Sequence, residues 1–397
     1  MSRNIAVGID IGTYQIKVVV AAEGGGDDKS FPRILGTGFA ESRGLRHGYI
    51  VNIPEVTRSL RVALAQASKS SGIAIRRAHI SVGGVGLSGI TSSGAVVISR
   101  ADLEISELDA DNALEVAEEE IPSSLSQNRR IIYSIPIQYK IDGKGVLGSR
   151  PLGMKGAKLE VKALFVTCLE HHLKDLVEAV EEAGVEVIDV VASPIAASFV
   201  TLNKAQKVAG CVLANIGSET VSIVVFENNM PVSLEVFPIG STDITNDIAL
   251  GLRVPLEEAE SIKLGGITST NYPKKKLDEI IAARLSDMFE LIEAHLKKMG
   301  RDGLLPAGIV ITGGGSSIPL VEEFAKSSLR LPSRVAHINF PEREKSKIKD
   351  AFFAVALGLC IISLAGEDEE SRTVGRILRS QRSLITPIKN WFKQFLP

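Results

Sequence analysis

Two short segments of the chain share a pattern of residue types suited to binding phosphate. Residues 10–20 read DIGTYQIKVVV and residues 215–225 read NIGSETVSIVV. Each has an acid or its amide, an isoleucine, a glycine and a hydroxyl residue, followed by β-branched residues. Glycine lets the backbone come close to a ligand, and successive N–H groups in a tight turn attract phosphate oxygens. The repetition predicts two equivalent loops that grip one polyphosphate; the alternative is two plain hairpins.

Two further segments could complete such a site. IVITGGGSS, at residues 309–317, predicts a strand that ends in glycines and leads into a helix, which lets a flat ring or a phosphate approach the backbone. EEAESIKLGG, at residues 257–266, predicts a helix with Glu260 and Lys263 three positions apart on one face. A surface salt bridge has the same spacing, so the interpretation of this pair depends on the other segments.

The predicted loops need strands on both sides, and the hydrophobic pattern supplies them. Apolar runs at 5–9, 16–21 and 211–214 are typical of buried strands. Strand-like and helix-like segments alternate through most of the chain, which predicts an α/β protein. From about residue 83 to 166 the pattern shifts to alternating polar and apolar segments with one acidic helix. This shift indicates an inserted subdomain.

Composition excludes several classes of protein. With 397 residues, 45% hydrophobic residues and a net charge of −2, the chain is neither mostly disordered nor broadly basic, so no nucleic-acid partner is predicted. Cys168, Cys211 and Cys360 are widely spaced, which disfavours a disulfide framework or a zinc site and favours a reducing, cytoplasmic setting.

The apolar stretch 351–365 is shorter than the roughly 20 residues that span a bilayer, and predicts a buried helix. The pair His171–His172 is predicted to face solvent or to cap a helix.

The last residues predict an amphipathic helix that follows a polar linker at 366–383. Thr386 and Pro387 are typical of a helix start. A helix this short needs a surface to fold against. An anionic membrane suits the apolar face and its basic neighbours better than the alternatives, the protein's own body or a partner protein. The residues predicted to meet the membrane are Ile388, Lys389, Trp391, Phe392, Lys393, Phe395 and Leu396.

Two phosphate hairpins, a glycine-rich loop and a Glu/Lys helix together resemble the superfamily of actin, heat-shock chaperones and sugar kinases. More narrowly, the chain resembles the FtsA family of bacterial division proteins over nearly its whole length. The stretches that carry this resemblance are RGLRHGYIVNI (43–53), PLGM with LE (151–160), ITNDIALGL with AESIK (244–263), TGGGS (312–316) and AVALGL (354–359). The resemblance implies an α/β, actin-like, two-lobed ATPase fold with an inserted SHS2-type subdomain 1C in place of actin's subdomain 1B.

The resemblance also implies a division of the chain and a role in the cell. The protein would bind ATP or ADP with Mg²⁺ and form actin-like filaments as a peripheral protein on the cytoplasmic face of the cell membrane at the division site. It would bind the C-terminal peptide of FtsZ through subdomain 2B and later division proteins through subdomain 1C. The implied parts are 1A (1–82, 167–195 and a core helix at 350–366), 1C (83–166), 2A (196–243 and 302–349), 2B (244–301), a linker (367–383) and the membrane helix (384–397).

Roles for individual residues follow from the resemblance by position. The two hairpins would wrap the phosphates, Lys17 would counter their charge, and Asp10 would lie near Mg²⁺, through water. Glu260 and Lys263 would reach ribose or adenine, and the glycine-rich loop would line the adenosine pocket. The complete nucleotide-binding set is Asp10, Gly12, Thr13, Tyr14, Lys17, Asn215, Gly217, Ser218, Glu219, Thr220, Glu260, Lys263, Gly313, Gly314, Gly315 and Ser316.

Two departures from the superfamily pattern bear on catalysis. The second hairpin begins with Asn215 instead of Asp, and Ser218 and Glu219 replace glycines. Ser193, in SPIAAS, stands where hydrolysing members carry a Glu or Gln that orients water. Phosphoryl transfer depends on that positioning, so we expect ATP binding with weak or no hydrolysis and assign no catalytic residue. The alternatives are an actin-like pilus-assembly adaptor and, with less support, a small-molecule kinase, which would need a catalytic Asp that we cannot assign.

Overall fold

The structure is a computed structural model that describes residues 4–24, 31–146, 151–266, 272–338 and 350–370. Within these ranges the strands are β1 (Ile5–Ile11), β2 (Gln15–Ala22), β3 (Arg33–Glu41), β4 (Leu45–Arg46), β5 (Tyr49–Ile50), β6 (Arg77–Val82), β7 (Leu87–Val97), β8 (Arg129–Ile141), β9 (Lys144–Gly145), β10 (Lys158–Leu169), β11 (Glu186–Ala192), β12 (Cys211–Ile216), β13 (Val221–Glu227), β14 (Met230–Phe237), β15 (Ile309–Thr312) and β16 (Ser333–Val335).

The helices of the same ranges are α1 (Ile53–Ser71), α2 (Glu107–Glu119), α3 (Ser123–Ser126), α4 (Glu170–Glu182), α5 (Ser193–Thr201), α6 (Lys204–Ala209), α7 (Ser241–Leu252), α8 (Leu256–Lys263), α9 (Lys274–Lys298), α10 (Val321–Leu329) and α11 (Ala354–Glu370). Short 3₁₀ turns cover Gly314–Ser317 and Asp350–Phe353.

Two five-stranded sheets have the same topology and define two lobes. The first-lobe sheet has the order β3-β2-β1-β6-β11, and the second-lobe sheet has the order β14-β13-β12-β15-β16. In each, the first three strands form an antiparallel meander, and the next two lie parallel to the first strand of that meander. Each strand of one sheet therefore has a counterpart in the other, and the predicted two-lobed α/β fold with a repeated hairpin is confirmed.

A separate antiparallel sheet, in the order β7-β10-β8-β9, comes from the stretch in which the sequence pattern changes. Its helix α2 packs so closely that a Cβ atom at Gly94 would lie 2.4 Å from the carbonyl oxygen of Ala113. Side chains such as Ile98, Leu159 and Phe165 form a core of its own. The inserted sheet also touches the second lobe, where a Cβ atom at Gly89 would lie 3.0 Å from the amide nitrogen of Leu234.

Helix α11 packs against the sheet of the first lobe and against α5. A Cβ atom at Gly8 in β1 would lie 2.1 Å from the carbonyl oxygen of Ala356, and one at Gly358 would lie 1.9 Å from that of Ala196. The prediction of a buried helix over this apolar stretch is confirmed. Among the described residues, none of the helices combines the length and apolar character that crossing a membrane requires.

The predicted boundary between the core helix (350–366) and the linker (367–383) is wrong, because α11 continues to Glu370. A helical Gly366 costs about 1 kcal/mol relative to alanine, but the next four residues, EDEE, contain no proline and glutamate favours the helix. The rest of the predicted linker and the predicted membrane-binding residues (Ile388, Lys389, Trp391, Phe392, Lys393, Phe395 and Leu396) lie outside the described residues.

Candidate functional site

The first hairpin joins β1 to β2 and holds a carboxylate whose two oxygens both have partners. Asp10 and Lys17 face each other in the strand ladder, and Lys17 Nζ donates to Asp10 Oδ2 at 3.1 Å. Ser81 Oγ, on the neighbouring β6, donates to Asp10 Oδ1 at 3.0 Å and accepts from the Ile11 amide at 3.2 Å. The structure thus brings Asp10 and Lys17 together. Tyr14, at the tip, is exposed.

The second hairpin, between β12 and β13, repeats this backbone geometry. A Cβ atom at Gly12 would lie 3.0 Å from the carbonyl oxygen of Gln15, and one at Gly217 would lie 3.0 Å from that of Thr220. The Gly217 amide donates to the same Thr220 oxygen at 2.8 Å. The repeat seen in the sequence is therefore also a repeat in three dimensions.

The start of helix α7 fixes the tip of the second hairpin. The Ser241 amide donates to the Gly217 carbonyl oxygen at 2.9 Å, and the Thr242 amide donates to that of Ser218 at 2.8 Å. These bonds occupy two carbonyl groups of the tip, those of Gly217 and Ser218. The side chain of Glu219 is left as the group that extends from the tip toward the first lobe.

The glycine-rich loop packs directly on the second hairpin. Asn215 lies opposite Thr312 in the parallel pair of β12 and β15. Gly313 has φ of +86°, and a Cβ atom there would lie 2.3 Å from Asn215 Oδ1. A Cβ atom at Gly315 would lie 2.3 Å from Ile216 Cγ2, and Ser316 Oγ donates to the Gly313 carbonyl oxygen at 2.7 Å. Two predicted segments therefore meet.

The glycine-rich segment leads into a helix, as the sequence predicted, but the glycines themselves form a separate turn. Gly314–Ser317 forms a 3₁₀ turn, and α10 begins only at Val321. Close packing of the glycines on β12 shapes this loop first, and the helix follows four residues later. The helix N-terminus is therefore not contiguous with the glycines.

Lys263 is committed to the protein's own structure. Its buried ammonium group donates to the Ser241 carbonyl oxygen at 3.2 Å, to Thr245 Oγ1 at 3.0 Å and to Glu260 Oε2 at 2.7 Å. These three acceptors match the three hydrogens of an ammonium group. Contact of Lys263 with ribose or adenine stays a prediction, and the geometry favours Glu260, whose side chain is 45% exposed.

A turn of the first lobe connects the two hairpins. His47 and Gly48, between β4 and β5, have φ of +49° and +81°. The Gly48 amide donates to Thr13 Oγ1 at 3.1 Å, and the His47 amide donates to Glu219 Oε2. His47 Nδ1 also lies 3.3 Å from the Glu219 carbonyl oxygen. Residues from both predicted phosphate loops therefore converge on this turn.

The sequence did not mark His47, Gly48 or Ser81 as site residues. The signals that could have found them are the His-Gly turn inside residues 43–53 and the segment SVGG at 81–84, which corresponds by topology to TGGG at 312–315. Ser193, the residue in the place of a water-orienting acid, is buried at the start of α5 and would lie 3.1 Å from a Cβ atom at Gly83. Ser193 therefore lies next to the SVGG segment at 81–84.

Two histidines near the first hairpin are buried. Burial, and secondarily Arg77, lowers the pKa of His79 to about 4, so its ring is neutral at pH 7. His172 Nε2 lies 3.2 Å from the Gly83 carbonyl oxygen, and its ring packs edge-on against Tyr49 at 4.9 Å between centroids. The prediction that the histidine pair faces solvent is therefore wrong for His172, because its position falls on the inner face of α4.

A cavity of about 520 Å³ lies between the inserted sheet and the first lobe. Its walls come from β8, α4 and β11 and include Ile131, Leu173 and Ile188. Burial raises the pKa of Asp189 in this wall to about 6. Three distant segments form this cavity, so no local sequence pattern indicates it.

Family models and curated proteins match this chain. The model "Cell division protein FtsA" matches residues 212–358, and the model of the SHS2 domain inserted in FtsA matches residues 84–167. The cell division protein FtsA of Bacillus subtilis (strain 168) is 31% identical over 94% of this chain and 87% of its own length. That of Borreliella burgdorferi is 30% identical over 99% of each chain.

Solved structures show the fold. The PilM-PilN type IV pilus biogenesis complex matches with a TM-score of 0.68 and 18% identity, over 91% of this chain and 99% of the other. MreB 5 of Spiroplasma citri bound to AMPPNP matches with a TM-score of 0.52 and 12% identity, over 94% and 99%. The fold is actin-like, with an SHS2 insertion.

Proposed function

The chain belongs to the FtsA family of cell division proteins, and from that premise we propose that it binds ATP, polymerises on the inner face of the cytoplasmic membrane and tethers the FtsZ ring there. The observation that carries this proposal is the convergence of two equivalent hairpins on the turn at His47 and Gly48, beside the packed glycine-rich loop. One triphosphate between two such tips would interact with both lobes at once. Binding of the nucleotide would then control the relative position of the two lobes.

The described residues fit a nucleotide with Mg²⁺. Asp10 offers a carboxylate oriented by Lys17 and Ser81, and Mg²⁺ prefers oxygen ligands while it keeps several waters. When bound, Mg²⁺ neutralises phosphate charge. Gly12 and Gly217 leave room for phosphate at the turns. Asn215 and Ser193 provide no carboxylate, which supports weak or no hydrolysis.

The membrane part of the proposal depends on the sequence of the last residues. One short amphipathic helix binds a membrane weakly and reversibly. A filament that presents many copies raises the effective concentration of each and converts weak contacts into strong binding. Polymerisation controlled by nucleotide would in this way control residence at the membrane.

Exposed apolar residues support a partner surface on subdomain 2B (244–301). Leu250, Leu256 and Leu264 are exposed there on α7, α8 and the turn after α8. We propose that this surface binds the C-terminal peptide of FtsZ. The inserted subdomain 1C (83–166), with the cavity that it forms against the first lobe, is proposed to receive later division proteins.

A pull-down with the FtsZ C-terminal peptide tests the assignment of 2B. We expect Leu250→Glu to abolish retention of the protein on the immobilised peptide, because the apolar surface of the protein that is proposed to bind the peptide would then contain a charge. Val97→Glu, an equally exposed apolar position on the inserted sheet, is the matched control and should leave retention unchanged. Absence of retention for the unmodified chain would contradict the proposed partner.

Family membership favours a division protein over the pilus-assembly adaptor. The pilus protein shares the fold at 18% identity, whereas the division proteins match at about 30% over nearly the whole chain. The kinase alternative gains no support from the matched relatives, which are cell division proteins over nearly the whole chain.

A further inference from the structure

Among the contacts of the described residues, Glu219 is the one member of the predicted nucleotide-binding set whose side chain forms a hydrogen bond with the opposite lobe. Its Oε2 accepts from the His47 amide, while its own carbonyl oxygen lies 3.3 Å from His47 Nδ1. The other carbonyl groups of that tip are occupied within the second lobe, those of Gly217 and Ser218 by α7 and that of Thr220 by the Gly217 amide. The carboxylate is therefore the group that closes the distance between the two lobes at this point.

The amides of His47 and Gly48 are successive donors on one turn, and each binds one hairpin. Gly48 binds the hydroxyl of Thr13 in the first hairpin, and His47 binds the carboxylate of Glu219 in the second. Consecutive backbone N–H groups of this kind also bind phosphate oxygens. Carboxylates and phosphates are both anions that accept charge-assisted hydrogen bonds from such donors.

We propose that Glu219 competes with the triphosphate instead of binding it. Its carboxylate accepts from the His47 amide and so bridges the two lobes at this point. A triphosphate between the hairpin tips takes up the same donor and repels the carboxylate, so Glu219 must leave. This inference rests on the proposed nucleotide binding and revises the role that the resemblance implied for this residue.

The chemistry predicts discrimination between nucleotides. Repulsion between like charges rises as they approach. ATP has one more charged phosphate than ADP at the end of the chain of phosphates, so the Glu219 carboxylate opposes the binding of ATP more than the binding of ADP. Glu219 would thus lower the affinity for ATP more than the affinity for ADP. The triphosphate would in return release a contact between the lobes.

Calorimetric titration of the full chain with ATP and with ADP, each with Mg²⁺, tests the proposal. Glu219→Gln keeps an oxygen acceptor but removes the charge, and we expect it to tighten ATP binding by about tenfold and ADP binding by less. Glu257→Gln, at an exposed position on α8, is the matched control and should change neither affinity. Hydrogen exchange of the His47 amide without nucleotide should be faster in Glu219→Ser than in the unmodified chain.

The direction in which Glu219→Gln changes the ATP affinity distinguishes the possible results. Weaker ATP binding by Glu219→Gln would show that Glu219 is a nucleotide ligand, and would overturn the inference while supporting the proposed function. Unchanged ATP affinity, or unchanged exchange at His47, would overturn it as well. Absence of ATP binding by the unmodified chain would contradict the proposed function and this inference together.

Discussion

Replacing Lys17 with methionine tests whether the ion pair at the first hairpin organises the site. The side chains of Lys17 and Asp10 are only 15% and 11% exposed, and their charged atoms lie 3.1 Å apart. Removal of one partner of a buried pair leaves an uncompensated charge and costs about 3–5 kcal/mol. Ser81 still donates to Asp10, so we expect the lower end, about 3 kcal/mol, in the free energy of unfolding of the first lobe.

Urea unfolding of a double-mutant cycle measures this pair. Asp10→Asn, Lys17→Met and the double variant should show a coupling of about 1–3 kcal/mol. Arg43→Met is the matched control, because Arg43 pairs with Glu41 at 3.4 Å with both side chains 71% exposed. An exposed pair contributes about 0–1 kcal/mol, so this variant should unfold like the unmodified chain. A coupling below about 0.5 kcal/mol would refute the reasoning, because independent sites add within that range.

Three further predictions follow from other parts of the molecule. Gly313→Ala places a Cβ atom 2.3 Å from Asn215 Oδ1 at a positive φ and should lower both the melting temperature and ATP affinity, whereas Gly314→Ala, which meets no protein atom within 4 Å, should leave the melting temperature unchanged. Because burial raises the pKa of Asp189 to about 6, the stability that its protonated form provides is complete below its ordinary pKa near 4 and is lost as the pH rises through 6. Thermal denaturation of Asp189→Asn should therefore show a higher melting temperature at pH 7.5 and little change at pH 4; equal shifts at both would contradict this. Trp391→Glu should release the protein from anionic liposomes in a pelleting assay without loss of ATP binding, and unaltered pelleting would contradict the membrane helix.

Local patterns predicted the parts of the site that come from adjacent residues. The first hairpin itself was predicted from its apolar strands, and its ladder brings Asp10 and Lys17 together, a contact that the sequence analysis did not state. The repeat at 215–225 revealed the second hairpin for the same reason. The inserted subdomain was visible because its strands alternate polar and apolar residues, as a sheet with one exposed face does.

Contacts between distant segments could not be predicted in this way. The turn at His47 meets Thr13 and Glu219 only after the two lobes have formed, and no periodicity encodes that meeting. Spacing placed Glu260 and Lys263 on one helix face, but it could not show that Ser241 and Thr245 cover the Lys263 ammonium group. His172 illustrates the same limit, since burial against Tyr49 depends on how α4 packs.

Calorimetric titration of the purified full-length chain with ATP in the presence of Mg²⁺ tests the central claim most directly. Two equivalent hairpins that converge on one turn predict saturable binding of a single nucleotide per chain. No heat with any adenine nucleotide, with or without Mg²⁺, or two independent nucleotides per chain, would contradict it.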